Sequence, residues 1–433
     1  RINFEWDAAD DIIVTGGIGR FSGGRPNVWL SNAYSNDGYT YVPAYNESNY
    51  LTNADITTIP QGVLSSMKPG DGNVNVTDPD MKLPSDWRTS VGMTYNFEVP
   101  GLGDDWVWSS EFILVKKEND PFWVDLTRSQ VGQTVAGQPI YQAYDKLTGD
   151  ETQRYDLMLT NASDDGESKI FSTSLSASFD NGLSFNTSYT NQDVTEGTPG
   201  TSSTATSNFQ YPVTTDRGRA NIGTAAYEIE HAFKLNIDYK VEFFENYETN
   251  FNLFFERRSG RPFSWVLGSY KDSDLGDQGS FDDSEAYLPY IPTGADDANV
   301  VYGYGLDYAT LSGYLDEAGL TEYAGGFAPK NSSRAPWVSR LDLNITQEIP
   351  GFMDGHKGVF YFSIRNLLNL IDSSSGKALR NQYGTNTLVD YDIDDQGRYE
   401  YSAPYGGFNS TSFNLFDAKN SAWSLKLGVR YKF

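Results

Sequence analysis

From Trp423 to Phe433, large apolar side chains take every odd position: Trp423, Leu425, Leu427, Val429, Tyr431 and Phe433. Ser424, Lys426, Gly428, Arg430 and Lys432 fill the even ones. A strict period of two marks a β-strand with one greasy and one polar face. Terminal residues are usually frayed, so a strand running to the last residue needs surroundings that hold it. The longest run of this kind is YEIEHAFKLNIDYKVEF, residues 227–243. Its odd positions hold Tyr, Ile, His, Phe, Leu, Ile, Tyr, Val and Phe, and its even positions are almost all charged or amide-bearing. At about 3.3 Å per residue it predicts a strand of more than ~50 Å, against about 5–6 residues for an ordinary strand.

Shorter alternating runs follow the same plan at 90–99, 106–115, 170–179, 183–190, 250–255, 339–349 and 359–364. INFEW and IIVTGGIGRF add a pair near the start. The connectors alternate in length. Asp, Asn and Gly make short turns at 7–11, 100–105, 180–182, 245–247 and 350–358, where these residues supply turn geometry. Long connectors cover roughly 22–88, 116–168, 191–224, 262–336 and 372–420. The pattern predicts about eleven antiparallel strands, with short turns at one end and long loops at the other. Within the loops, 387–401 reads as a hairpin turning at Asp394-Asp395-Gln396-Gly397, and 307–320 as a short helix. No repeat of 20–50 residues is visible, which disfavours a solenoid or propeller.

Composition turns this pattern towards a membrane. Mean hydropathy is -0.51, and no stretch approaches the roughly 18 apolar residues of a membrane helix. Yet 15% of the 433 residues are aromatic, with 29 Tyr and 25 Phe. A transmembrane β-barrel has this profile, because its strands meet lipid at every second residue and aromatic girdles flank the band. Cysteine is absent, so disulfides and thiolate metal sites are excluded. Two histidines argue against a histidine-rich metal centre. The net charge of -26 argues against nucleic acid and predicts that anionic ligands are disfavoured unless a cation bridges them.

Candidate chemistry is sparse. GGIGRFSGG follows no βαβ pattern, so its glycines are read as strand glycines that allow bends and close packing. Asp390, Asp392, Asp394 and Asp395 form an oxygen-rich hairpin, read as a possible Ca²⁺ site or as a solvated acidic turn. Trp29, Tyr34, Tyr39, Tyr41 and Tyr45 alternate with Asn and Ser in the first long loop. Such rigid amphipathic rings suit a glycan or peptide ligand, or else pack one loop on another. Strand parity sets Arg340, Asp342, Arg365, Lys426 and Arg430 on the polar, lumen-facing side, where they pair with one another or with a plug, or else line a substrate path. No carboxylate pair has a frame that marks a hydrolase, and the chain is read as a non-enzyme without a required cofactor.

Several stretches carry a family resemblance: 16–36, YDLMLTN at 155–161, RSGRPFSWV at 258–266, APWVSRLDLNITQEIPGFMDGHKG at 335–358, IRNLLNL at 364–370 and the terminal LKLGVRYKF. The chain resembles the C-terminal half of the barrel of TonB-dependent outer-membrane receptors, in their Oar-like branch. The resemblance implies a 22-stranded barrel in a Gram-negative outer membrane, with long loops extracellular and a plug in the lumen. It implies import of an extracellular ligand driven by the TonB–ExbB–ExbD complex, and insertion by the barrel-assembly machinery. The chain, which opens on an alternating run, is read as the C-terminal part of one barrel domain over 1–433, with plug and TonB box outside it. The alternatives are a surface-interaction or export-linked protein that uses the barrel as an anchor, and an open porin.

Overall fold

The computed structural model describes residues 1–23, 26–39, 57–66, 70, 72–144, 149, 154–268, 275–276, 286–381, 384–411, 413–415 and 418–433. Eleven long strands form one antiparallel wall in which each pairs with its neighbour in chain order. They are β1 Ile2–Ala9, β2 Ile12–Ser22, β3 Ser85–Val99, β4 Gly103–Glu118, β5 Glu167–Ser178, β6 Leu183–Glu196, β7 His231–Phe244, β8 Tyr247–Arg258, β9 Val338–Pro350, β10 Lys357–Arg365 and β11 Ser424–Lys432. Tight turns join β1–β2, β3–β4, β5–β6, β7–β8 and β9–β10, and the five long connectors all leave from the other end.

The register explains why the wall has two unlike faces. Directly opposed residues share a face, so one cross-strand row can be followed across the sheet. Phe185 opposes Ile237, Ile237 opposes Leu253, Leu253 opposes Leu343, Leu343 opposes Ile364, and Ile364 opposes Leu425. The same row continues from Phe185 to Ala177 and Trp106, and the row beside it runs Tyr239, Phe251, Ile345, Phe362 and Leu427. Many of these side chains stand open, Leu427 at 68% and Trp6 at 60% exposure. A contiguous apolar face of this extent needs lipid or a partner against it.

The opposite face is polar and cross-linked. Asn252 donates from Nδ2 to Asn236 Oδ1 at 2.8 Å and to Asp238 Oδ1 at 2.9 Å. Asn344 donates to Asn252 Oδ1 at 3.3 Å, and Ser363 Oγ donates to Asn344 Oδ1 at 2.5 Å. This ladder ties β7 to β10 through side chains as well as backbone. At the loop end Asn366 sits in the left-handed region, φ 57°. Its N–H donates to Asp342 Oδ1 at 2.8 Å, and its amide donates to the carbonyls of Gly376 and Ser421. The RNLL stretch thus fastens the tops of β9 and β10 to the connector that leads into β11.

Aromatic clusters mark both ends of the apolar face. At the loop end Tyr189 OH lies 2.9 Å from His231 Nδ1, and the His231 ring stacks on Trp337 with Arg257 over the indole. At the turn end Tyr431 OH lies 3.0 Å from His356 Nδ1 and the Tyr431 ring stacks on Phe352. Rings with polar tips belong at the two membrane–water interfaces.

Two expectations shift. The long strand starts at His231, so 227–230 leave the wall. Glu228 is buried and pairs with Arg334, whose Nε also meets Glu230 at 2.8 Å. Those ion pairs pull the chain out of the sheet although the period of two continues. In the other direction, β3 begins at Ser85, where the sequence pattern begins only at 90. Arg20 bridges Glu118 at 2.8 Å and Ser85 Oγ at 3.0 Å, which extends the pairing. The hairpin and helix expected in the loops are present as Thr385–Ile393 with Tyr399–Ser402, and as Tyr308–Ala318.

Glycine at 428 has a clear cause. A Cβ there would run into the ring of Tyr361 on the neighbouring strand, which lies over the bare backbone. Gly428→Ala is therefore expected to cost about 1–3 kcal/mol by overpacking. Adding Tyr361→Ala should return part of that loss in a double-mutant cycle read by denaturant titration. Strict additivity would rule out the contact as the cause. Face polarity is testable separately. Leu427→Arg places a charge on the apolar face and is expected to cost about 2–4 kcal/mol if it lies near the bilayer midplane. Ser174→Arg, on the polar face beside an open trough lined by Ser and Thr, is expected to cost little. Equal folding yields of the two in lipid vesicles would contradict the assignment of faces.

Candidate functional site

The described parts of the long connectors, which lie within 23–84, 119–166, 197–230, 259–337 and 366–423, pack together into a cap at one end of the wall. Its largest core joins the fourth and fifth connectors. Trp265, Tyr287, Tyr399 and Tyr401 are fully buried there, with Leu311 and Leu315 of the 308–318 helix. That helix forms locally because Asp307 caps it, accepting from Thr310 N at 2.8 Å, and Gly319 ends it in the left-handed region. Strand Pro262–Gly268 pairs in parallel with Thr385–Ile393, and Val300–Tyr302 with Tyr399–Ser402. Buried tyrosines reach across connectors with their hydroxyls. Tyr401 donates to Tyr290 O at 2.9 Å, and Tyr399 meets Gln138 and Thr134 of the second connector. Asp297 holds the turn beside Tyr290. Burial would raise its pKa, but donors from Thr293 and Asn299 outweigh that and hold it down at about 2.

A second core joins the first three connectors around Trp123, Tyr155, Leu157, Leu159 and Phe209. Inside it Arg128 pairs with Asp125 at 2.9 Å and lies over the rings of Tyr155 and Phe209. Burial pushes the Asp125 carboxyl up despite the guanidinium.

Between the third, fourth and fifth connectors lies a cleft of about 240 Å³. Arg261, Lys330 and Arg380 supply three cations, Tyr211 and Tyr227 supply rings, and Asn381 supplies an amide. Among the described residues no Asp or Glu lines it. Lys330 is buried, and its Nζ donates to the carbonyls of Gly197 at 2.7 Å and Glu196 at 3.1 Å. Burial lowers its pKa to about 8, against an opposing pull from Glu196. Asn381 is 5% exposed and neither atom of its amide has a partner. An unmade hydrogen bond at such a group costs about 1–3 kcal/mol.

A family model described as an outer membrane beta barrel domain matches residues 1–391. The chain belongs to that family. Membership makes this wall part of a transmembrane antiparallel β-barrel of the outer membrane, and it supplies lipid as the medium for the apolar face. Among solved structures, the barrel is similar to "the outer membrane transporter YddB from Escherichia coli", at 13% identity and a TM-score of 0.45. That likeness covers 99% of this chain and 40% of the other, so the chain spans well under half of that transporter's length. No curated protein matches.

The barrel's structure distributes the residues singled out by sequence. Arg340, Asp342, Arg365, Lys426 and Arg430 share the polar face. Arg340 donates to Asp342 at 2.9 Å, Arg365 meets Asn420, and Lys426 lies 5.7 Å from the Tyr361 ring centre. Trp29 is half-buried. Its Nε1 donates to Ser202 O at 2.7 Å and its ring lies against Gly200, so it joins the first connector to the third. Tyr34 and Tyr39 are open at 84% and 71%, while Tyr41 and Tyr45 lie outside the described residues. On the acidic hairpin Asp390 accepts from Tyr405 N at 2.8 Å, and Asp394 is taken up by Arg398 and the turn. Among the described residues no three His, Asp or Glu side chains converge as metal ligands.

Sequence reasoning missed the cationic cleft. Its residues come from three connectors with no shared spacing. The one available signal was the scarcity of cations, 32 Lys and Arg against 58 Asp and Glu.

Trp29→Ala is expected to speed amide exchange through 200–210, the segment that its indole holds, whereas Tyr39→Ala should leave that segment unchanged. Equal exchange in both variants would reject Trp29 as the fastener.

Proposed function

We propose that this chain is the C-terminal half of the barrel of a TonB-dependent receptor. Its cap is extracellular, binds a ligand, and hands it to a plugged lumen for import. The observation that carries the reading is the cap itself. The described parts of five connectors at one end of an outer-membrane wall are packed against one another around shared cores and hold a polar cleft, and the opposite end carries only tight turns. Short turns on the periplasmic side and long loops outside are the usual arrangement of outer-membrane barrels. β1 and β11 each pair on one side only. An unpaired strand edge in lipid is costly, so further strands close the wall in this reading. The polar face with its amide ladder then lines the lumen and faces the plug.

The test uses the natural gene product in its own cell. External protease on intact cells is expected to cut within the cap, and to reach the turns at 180–182 and 245–247 only after the outer membrane is opened. The solubilised protein should also be retained by the purified periplasmic domain of TonB. The reverse cleavage pattern would overturn the topology. Correct cleavage without TonB retention would favour an open porin or a surface anchor.

A further inference from the structure

Register also decides which charges sit on the apolar face. Among the described wall residues, the Lys and Arg that it sets there are Arg20 on β2, Lys116 on β4, Lys169 on β5 and Arg257 on β8, and all of them lie at the loop end. At the turn end the same face closes on rings, Trp6, Phe97, Trp106 and Tyr431. Two of the cations are taken. Arg20 pairs with Glu118 at 2.8 Å, and Lys169 with Glu167 at 2.5 Å and Asp193 at 3.9 Å. Lys116 and Arg257 are exposed, and no described carboxylate pairs with either. Lys116 faces Glu167 across the strands, but that carboxylate is already bonded to Lys169. Near Arg257, Glu230 is held by Arg334 at 2.8 Å and meets His231 at 3.6 Å. Each of the two remaining cations has a half-exposed indole beside it. Trp87 lies directly opposite Lys116, and the Arg257 guanidinium lies 5.4 Å over the Trp337 ring. One step towards the turns on the same face come Leu114 below Lys116, and Phe255 between Leu235 and Leu341 below Arg257.

We propose that Lys116 with Trp87, and Arg257 with Trp337, are two seats for the phosphates of anionic membrane lipids in the leaflet that meets the cap. The occupant follows from the surroundings. The family places this face in a lipid bilayer, and a cation on a lipid-facing wall is cheap only near the interface, at the depth of the headgroups. Stacking on the indole holds the Arg257 guanidinium in one plane and leaves its edge N–H donors for two phosphate oxygens. Lys116 acts as a compact charge beside the Trp87 ring. The apolar rows below each seat take the acyl chains joined to the phosphate, which a free phosphate lacks. The chain carries 58 Asp and Glu against 32 Lys and Arg, yet the charges left unpaired at this rim are positive, so the rim attracts anionic headgroups where most of the surface repels them. Lipids held at two points fix the depth of the wall in the bilayer and keep the cap at the water boundary. The inference stands on the membrane location of the family and not on import.

Native mass spectrometry of the full-length protein in non-ionic detergent tests it, by counting the lipids that the protein retains. The probes are phosphatidylglycerol and digalactosyl diacylglycerol with the same acyl chains, so that only the phosphate headgroup differs. Wild-type protein is expected to retain phosphatidylglycerol in preference to the galactolipid. Lys116→Gln and Arg257→Gln should each weaken that retention about fivefold, and the double variant about 25-fold. Arg258→Gln removes the same charge from the adjacent position on the polar face and should leave retention unchanged. Inorganic phosphate at millimolar concentration should not displace the lipid. Equal retention of the two lipids, unchanged retention in the double variant, an equal loss in Arg258→Gln, or displacement by inorganic phosphate would each overturn the proposal. If the double variant does not fold, the comparison of the two lipids on wild-type protein decides alone. None of these outcomes touches the surface-protease and TonB-retention results, so the two readings fail separately.

Discussion

Everything in this molecule depends on a wall that must satisfy its own backbone. In the hydrocarbon layer no water is present to take an unpaired N–H or C=O. Each of the inner nine strands is therefore bonded on both sides, and the register that makes those bonds also decides which side chains share a face. A slip of one residue between any two strands would carry a row of Phe, Leu and Ile to the polar face and expose a row of Asn, Ser and Lys to lipid. Backbone pairing and side-chain polarity thus enforce one another along rows such as Phe185, Ile237, Leu253, Leu343, Ile364 and Leu425. Close packing completes the lock. Tyr361 covers Gly428 on one face, and the ring of Phe4 covers Gly16 on the other.

The cap follows a different physics. It lies beyond the apolar band, where a folded layer needs a core of its own, and the connectors supply one from buried rings and aliphatics. Tyrosine suits this position between water and core, because its ring adds apolar area and its hydroxyl answers a carbonyl or amide at the edge. Tyr399 and Tyr401 do so beside the parallel strands, and Gln210 donates to Tyr155 OH at 2.7 Å in the second core. A cap tied together this way holds the walls of a cleft in fixed positions, and fixed walls are what selective binding requires. The wall gives the cap an orientation and the cap gives the wall a reason to be more than a pore.

How much of this could be read from sequence depended on the range over which each pattern acts. The wall was legible because the pleat forces a period of two on local sequence. The eleven strands and the alternation of short and long connectors follow from it. It misled where a long-range ion pair competed, as when Arg334 drew Glu228 and Glu230 away from the expected start of β7. The hairpin at Asp394 and the helix after Asp307 were legible because turns and caps are also local signals. The cores of the cap were not. Tyr399 meets Gln138 across 261 residues and Trp29 meets Ser202 across 173, and no window of sequence contains both partners. For the same reason the sequence leaves Trp29 open between ligand recognition and loop packing, and the structure shows it as a fastener.

The cleft shows the same limit for charge. A net charge sums over a surface far wider than the Debye length, whereas a binding site is sampled over a few ångströms. In this chain the excess of acids is spread over turns, loops and strand ends, so it governs solubility and long-range approach. Arg261, Lys330 and Arg380 come from connectors that the wall brings to one end, and their grouping exists only in the folded cap. An acidic exterior around a cationic cleft would slow the arrival of anions in dilute salt and matter less as salt rises, while leaving short-range recognition intact. Selectivity in such a site rests on what the cations are combined with. The unpartnered amide of Asn381 adds a neutral acceptor and donor to that lining, which a count of charges does not register.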